Sequence, residues 1–431
     1  MNQWKNIRII SVTTCLFSSL GVYSAGFEKT VMWGGRWSGL AGAAVSAVEG
    51  GDSLFYNPAG LVQGGSHEVS LNYSPLLTRT TGAQTRDDEE LTSDKKIKNV
   101  FGVTTKYQVS NDFALGAGLY VSGGAGASFE GVDFSGVNAN YRDLQPNVES
   151  SVSVLELGVG GAYRMTNNWS VGAAWRGSLG LAKFSSAEVL NNGTTNPLIN
   201  TRFDKMKGDN LKGVRIGTQY LSSDSSWGLG ASYRSSIDLK LKGSAEGQAE
   251  LGASGADLTM TGGDQVYLAT VFPQQLNVGG FYQVAPKHKV FAEYSWTDYS
   301  KNEEIKISGD ALNLAGTNVL AGKSIILNWQ DAHAIKLGHE MMLDQWQLRY
   351  GYALTGRVTD KDNVSITFSA PGVGHSFTLG AGTKFLNDQL HFDVAGEYSV
   401  AKGEGTRGTT GISGDFSSSA FGLHSGLRYF F

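Results

Sequence analysis

Between positions 227 and 242, apolar and polar residues alternate, with Ser235 the one polar residue on the apolar parity. Trp227, Leu229, Ala231, Tyr233, Ile237, Leu239 and Leu241 share one parity; Gly228, Gly230, Ser232, Arg234, Ser236, Asp238, Lys240 and Lys242 share the other. A period of two marks an extended strand with unlike faces. Strands in soluble sandwiches run about 3–10 residues, so sixteen residues of one alternation predict a strand built to cross a bilayer. The C-terminal segment repeats the pattern, with Phe421, Leu423, Leu427, Tyr429 and Phe431 on one face and His424 and Arg428 on the other.

Fourteen such segments are predicted, at about 66–78, 98–109, 112–130, 150–165, 168–184, 211–221, 226–242, 266–283, 288–300, 331–343, 345–357, 374–386, 389–402 and 418–431. Six connections are short: 110–111, 166–167, 222–225, 285–287, 344 and 387–388. They alternate with long ones. Short turns at one end and long loops at the other are the pattern of an outer-membrane barrel, and an even strand number puts both chain ends on the short-turn, periplasmic side. Aromatic residues flank the short turns in pairs, Tyr107 and Phe113, Tyr163 and Trp169, Tyr220 and Trp227, Phe385 and Phe392. Each lies on the apolar parity of its strand, as an interfacial girdle requires. The opposite parity carries Glu156, Arg164, Arg176, Arg215, Arg234, Glu293, Arg349, Asp393, Glu397 and Arg428. Charges are costly in lipid, so these are expected to face the lumen and pair there.

Composition agrees. The chain of 431 residues holds 58 Gly and only 17% charged residues, against the usual ~7% Gly and ~25% charge. Its aromatic content of 11% argues against disorder, and after the N-terminus no apolar run reaches the length of a membrane helix. The net charge of −4 implies no nucleic-acid partner. Residues 1–24 read as an export signal: Lys5 and Arg8, an apolar stretch from Ile9 to Leu20, and Val22-Tyr23-Ser24 before a mature start at Ala25. Cleavage there removes Cys15, the single cysteine. Residues 25–65 differ from the strands, with a Gly/Ala-rich, helix-like stretch at 38–48 and the turn Asn57-Pro58-Ala59-Gly60; they are expected to form a plug, and 66–431 the barrel.

Catalytic and metal patterns are absent. There is no phosphate loop, no G-x-S-x-G elbow and no H-E-x-x-H pair, and the seven His are dispersed. No catalytic residues, metal ligands or cofactor are assigned, and no enzymatic activity is expected. The segment Val121-Ser122-Gly123-Gly124-Ala125-Gly126-Ala127 places three Gly within four positions of the third strand, which suits a bulge or a close backbone approach.

The plug followed by fourteen strands resembles the FadL-type outer-membrane transporters of long-chain fatty acids, a family that includes aromatic-hydrocarbon channels. The resemblance rests on Ala25-Gly26-Phe27 and Asn57-Pro58-Ala59 in the N-terminal hatch, on Tyr233-Arg234-Ser235 with Lys242-Gly243, on Pro273, on Trp329-Gln330-Asp331-Ala332-His333 and on the terminal Phe431. It implies an all-β, fourteen-stranded antiparallel barrel in the outer membrane of a Gram-negative bacterium, working as a monomer. It further implies passive, ligand-gated uptake of hydrophobic compounds, with long-chain fatty acids first and aromatic hydrocarbons as the alternative. A general porin and a surface adhesin are the other readings. Phe27, Asn57, Pro58 and Ala59 would then serve the hatch, Gly123, Gly124 and Gly126 a lateral opening, and Lys183 and Lys323 are the nearest candidates for holding a ligand carboxylate. Outer-membrane lipid and lipopolysaccharide are the expected surroundings.

Overall fold

The computed structural model describes residues 33–83, 90–135, 138–141, 143–189, 195–364, 367, 372–406 and 414–431. The expected export signal and the plug start through Phe27 lie outside the described residues.

Where apolar and polar residues alternate, the chain is extended. Fourteen long strands result: β1 (Glu68–Ala83), β2 (Lys96–Gln108), β3 (Phe113–Ala125), β4 (Val148–Arg164), β5 (Trp169–Val189), β6 (Leu198–Leu221), β7 (Trp227–Arg234 and Ile237–Glu250), β8 (Val266–Phe272 and Gln275–Ala285), β9 (His288–Thr297), β10 (Ala332–Leu343), β11 (Trp346–Thr355), β12 (Val373–Phe385), β13 (Leu390–Gly405) and β14 (Gly414–Phe430). Each pairs antiparallel with its sequence neighbours. β1 also pairs with β14, from Glu68↔Phe430 to Thr81↔Ser417, so the sheet closes on itself.

The two faces divide as the alternation requires. On β3, Phe113, Leu115 and Leu119 are exposed while Ala114, Gly116, Gly118 and Tyr120 are buried. Outward apolar side chains form a lipid-facing band with the aromatic pairs at its short-turn rim; Trp169, Tyr220 and Trp227 touch in sequence, with ring centroids 5.7 and 5.1 Å apart. The inward charges pair across strands. Arg176 and Arg215 reach Glu156 at 2.6 and 3.3 Å, Lys336 reaches Glu293 at 2.9 Å, and Arg349 reaches Asp393 and Glu340 at 2.6 and 2.7 Å. His424 bridges Ser74 and Glu397, both at 2.9 Å, and so ties β1, β13 and β14 together.

Three expectations need correction. The sixteen-residue face at 227–242 is two faces: Trp227 and Leu229 point out, whereas Ile237, Leu239 and Leu241 are buried inside. A two-residue break in the strand at Ser235-Ser236 reverses the parity, because beyond the hydrocarbon the apolar side chains must turn inward from water. β8 reverses beside it at Pro273-Gln274, where proline supplies no ladder N–H; below that point Leu276, Val278 and Tyr282 are exposed, and above it Phe272, Leu268 and Val266 are buried. Second, the span between β5 and the predicted sixth strand is no loop. β5 and β6 pair up to Val189↔Leu198, with Ile199, Phe203 and Met206 inside and Arg202 and Lys207 outside. Third, 38–48 is not a helix. One turn forms at Gly35–Ser38; Ala41 and Gly42 then take left-handed conformations, with φ 53° and 76°.

The interior ion pairs set a testable cost. Arg349 is fully buried between two carboxylates, and removing one member of such a set typically costs about 3–5 kcal/mol. Arg349→Ala is expected to lower the urea midpoint of the detergent-folded barrel by a corresponding amount, read from its heat-modifiable gel mobility.

Candidate functional site

Residues 33–65 fill the barrel's lower interior, and backbone contacts hold them there. Ala44 and Val45 donate their amides to Glu293 of β9 at 2.8 and 2.9 Å. Asn57 is fully buried; its carbonyl oxygen accepts from Ala59 N at 3.2 Å and caps the short helix Pro58–Val62, while its amide donates to Val45 O at 2.7 Å and Thr218 O at 3.0 Å. Pro58 lies so close to β5 that a Cβ on Gly172 would stand 2.4 Å from its carbonyl carbon. Asn57, Pro58 and Ala59 thus wedge the inner segment against β5 and β6.

Charge seats the rest. Burial alone would raise the Glu49 carboxyl, but Arg36, at 2.5 Å, and Arg428 overcome it and bring its pKa down to about 2. Asp52 lies against Ser70 and Asn72 of β1, both at 3.2 Å, and burial pushes its pKa up to about 6 despite those hydrogen bonds and Arg428.

Above the inner segment, the reversed halves of β7 and β8 bring aliphatic side chains together. Val154 of β4, Leu239 and Leu241 of β7, Leu268 and Phe272 of β8, and Ile305 line an apolar seam. Its free volume is about 30 Å³, room for a water or two, so its walls are in contact. Leu312 and Leu314, in a small three-stranded sheet of loop residues, join the same buried cluster.

β3 leaves its neighbour beside this seam. It pairs with β2 only from Gln108↔Ala114 to Gly102↔Tyr120. Beyond, Val121–Ala125 pairs with β4 alone, through a register shift between Val121 and Gly123. Gly124 and Gly126 permit that approach: an added Cβ would stand 2.7 Å from Val152 O and 2.4 Å from Ser150 O. The strand predicted at 112–130 therefore ends at Ala125, and Ser128–Phe129 pairs separately with β4. With β3 drawn aside, Lys98 of β2 reaches across to Ser151 of β4 at 3.2 Å. A polar cavity of about 260 Å³ opens there, lined by Thr78, Lys98, Gly126, Ser128, Glu149 and Lys183.

Lys183 lines both the seam and this polar cavity and contacts Glu149. Lys323 does not join it: it pairs with Glu188 at 3.1 Å, both side chains about half exposed. Lys98 and Ser151 were not singled out from sequence, since neither breaks its strand's alternation; nor were the seam residues, although Pro273 in a long strand was a signal for the reversal.

A family model described as outer membrane protein transport protein (OMPP1/FadL/TodX) matches residues 19–431. A long-chain fatty acid transport protein of Escherichia coli O6:H1 is 25% identical over 321 residues, 67% of each chain, and the putative outer membrane protein NMB0088 of Neisseria meningitidis serogroup B is 24% identical, covering 87% of this chain and 85% of its own. Among solved structures, a Pseudomonas aeruginosa FadL homologue superposes with TM-score 0.74 at 16% identity, covering 94% of this chain and 99% of its own. The Pseudomonas putida toluene transporter TodX gives 0.73 at 18%, covering 95% and 99%. These structures share the fold.

Asp52 supplies a pH test. A carboxyl whose pKa is raised in the seated segment favours seating while protonated; that contribution falls as pH rises from about 4, the ordinary value, through about 6. Asp52→Asn is therefore expected to protect the inner segment from proteolysis at pH 7.5 and to flatten the dependence between pH 4 and 6, measured by limited digestion. The closed fourteen-strand barrel, its lipid-facing band and a family match across nearly the whole chain lead to one assignment: the protein belongs to the OMPP1/FadL/TodX family of outer-membrane transport proteins and resides in the outer membrane of a Gram-negative bacterium.

Proposed function

We propose that this protein passively admits long-chain fatty acids and releases them sideways, through the gap between β2 and β3, into the membrane. The observation that carries the reading is Lys183, shared by the wall of an aliphatic seam and a polar cavity at the β3 departure. An acyl chain in the seam gains about 0.8 kcal/mol per buried CH₂, which a water-filled pore does not supply. Its carboxylate needs a partner once desolvated, and Lys183 can exchange Glu149 for it. The seam lining is mainly Val, Leu and Ile, with Phe184 and Phe272 its aromatic rings, and suits a flexible chain better than a stacked ring. The seam is closed, so the ligand must part its walls. Because Asn57-Pro58-Ala59 is wedged in place, the trigger belongs to the segment before Trp33, including Phe27.

A strain lacking its own fatty-acid channel should grow on oleate when it expresses this protein. Lys183→Gln should slow oleate uptake about ten-fold while leaving toluene uptake unchanged. Normal insertion with toluene uptake and no growth on oleate would move the assignment to aromatic hydrocarbons.

The gap makes its own prediction. Gly124→Val and Gly126→Val place side chains against the β4 backbone and disturb the departure of β3. Each is expected to cut uptake at least ten-fold in barrels that still show heat-modifiable mobility; unchanged uptake would assign the Gly run to strand termination alone.

A further inference from the structure

The outward face of the barrel changes character above the parity reversal. Below it, Tyr233 and Leu276 belong to the lipid-facing band, as do Trp175 and Leu211 on the neighbouring strands. Above it, outward positions on β6 and β7 carry lysine, as does the loop strand Glu304–Gly309 that pairs with β8. Lys207 stands opposite Lys242, and Lys242 opposite Tyr267. Lys240 stands opposite Ala269, whose partner on the other side is Lys306. With strands about 4.8 Å apart and alternate residues about 6.6 Å apart, the ammonium groups share a patch of roughly 15 Å. The Tyr267 ring lies 4.4 Å from Lys240 Nζ and 6.0 Å from Lys242 Nζ, and its negative face draws both toward one spot.

Like charges directly opposed in a ladder are unfavourable, and these are not neutralised from within. Several other exposed lysines have carboxylate partners: Lys287 with Asp344, Lys301 with Asp298, Lys323 with Glu188 and Lys384 with Asp388. Among the described residues, Lys207, Lys240 and Lys242 form no ion pair, and Lys306 has Glu304 at 3.6 Å. Asp209, level with Lys240 across the ladder, and Asp238, next to Lys240 on the same face, are exposed, and among the described residues neither forms an ion pair with these lysines. The patch therefore offers several clustered cations just beyond the hydrocarbon, at the depth of outer-leaflet headgroups.

We infer that Lys207, Lys240 and Lys242, grouped around Tyr267, bind the phosphates of a lipopolysaccharide headgroup. A phosphorylated disaccharide whose acyl chains enter the adjoining lipid band can engage separated ammonium groups together; a single fatty-acid carboxylate cannot. Strong acceptor oxygens and anionic charge are what surface lysines attract at a membrane. The inference requires the barrel's orientation and is independent of its cargo.

The test uses the whole barrel, refolded in lipopolysaccharide-free detergent, with binding read by native mass spectrometry. The probes are bisphosphorylated lipid A, dephosphorylated lipid A and oleate. The native protein is expected to hold bisphosphorylated lipid A in a salt-sensitive manner and the dephosphorylated form far more weakly. At about five-fold per lysine, K207Q/K240Q/K242Q should weaken the bisphosphorylated complex on the order of a hundred-fold. The corresponding triple arginine variant should retain it, as should K287Q/K384Q on the opposite rim. Equal binding by the native and triple-Gln proteins overturns the inference, as does indifference of the native protein to the phosphates. Loss of oleate alone from the triple-Gln variant overturns it too, in favour of carboxylate capture. Heat-modifiable mobility of every variant separates lost binding from lost folding.

Discussion

Inside a bilayer no water reaches an unpaired amide, and each unsatisfied backbone group there costs several kcal/mol. The closure of β1 onto β14 answers this constraint, and so does the way the cylinder is opened. β3 lets go of β2 but does not stand alone: its departing segment stays paired with β4. The groups it abandons on β2 lie beside Lys98 and the polar cavity. β3 can part from β2 because one neighbour is kept while the other is lost, and Gly124 and Gly126 allow the retained neighbour to come close.

The interior is the counterpart of the lipid-facing band. Since one parity of each strand is given to lipid, charge accumulates on the other, and it is tolerated by pairing across strands, as around Glu156 and Arg349. The inner segment docks on both polar and apolar side chains of this lumen. Glu293, Asn57 and Arg36 use backbone and charge contacts to hold that segment, and Trp33, Phe55 and Leu61 pack in one buried cluster with Tyr120, Phe281 and Phe291, so the apolar side chains at this level are taken up by the segment itself.

The greasy surface appears higher up, through one geometric device used twice. The facing two-residue breaks at Ser235-Ser236 and Pro273-Gln274 exchange the faces of β7 and β8 at neighbouring positions. Below, apolar side chains serve the membrane; above, the same parity builds the seam and sends lysines outward. One reversal thus produces an internal apolar seam and a cationic exterior above the lipid-facing band.

Much of this was legible in the residues. The period of two, the short-turn spacing and the aromatic pairs identified fourteen strands and their inward charges, because crossing a bilayer imposes chemistry on each position independently. Strand extent and face beyond the membrane were not legible. Ile237 and Trp227 have the same parity and the same apolar character, and only the register across β6, β7 and β8 tells which faces lipid. The carboxylate candidates divide for a similar reason. Lys183 and Lys323 are equivalent as letters, but one lines the seam beside the β3 gap and the other meets Glu188 at the surface. By itself the sequence determined a closed membrane barrel with a paired, charged lumen, since those follow from alternation along one strand. The seam, the gap and the lysine patch were decided by tertiary structure, because each is made between strands, where the place at which pairing or parity breaks decides which side chains face inside and which outside.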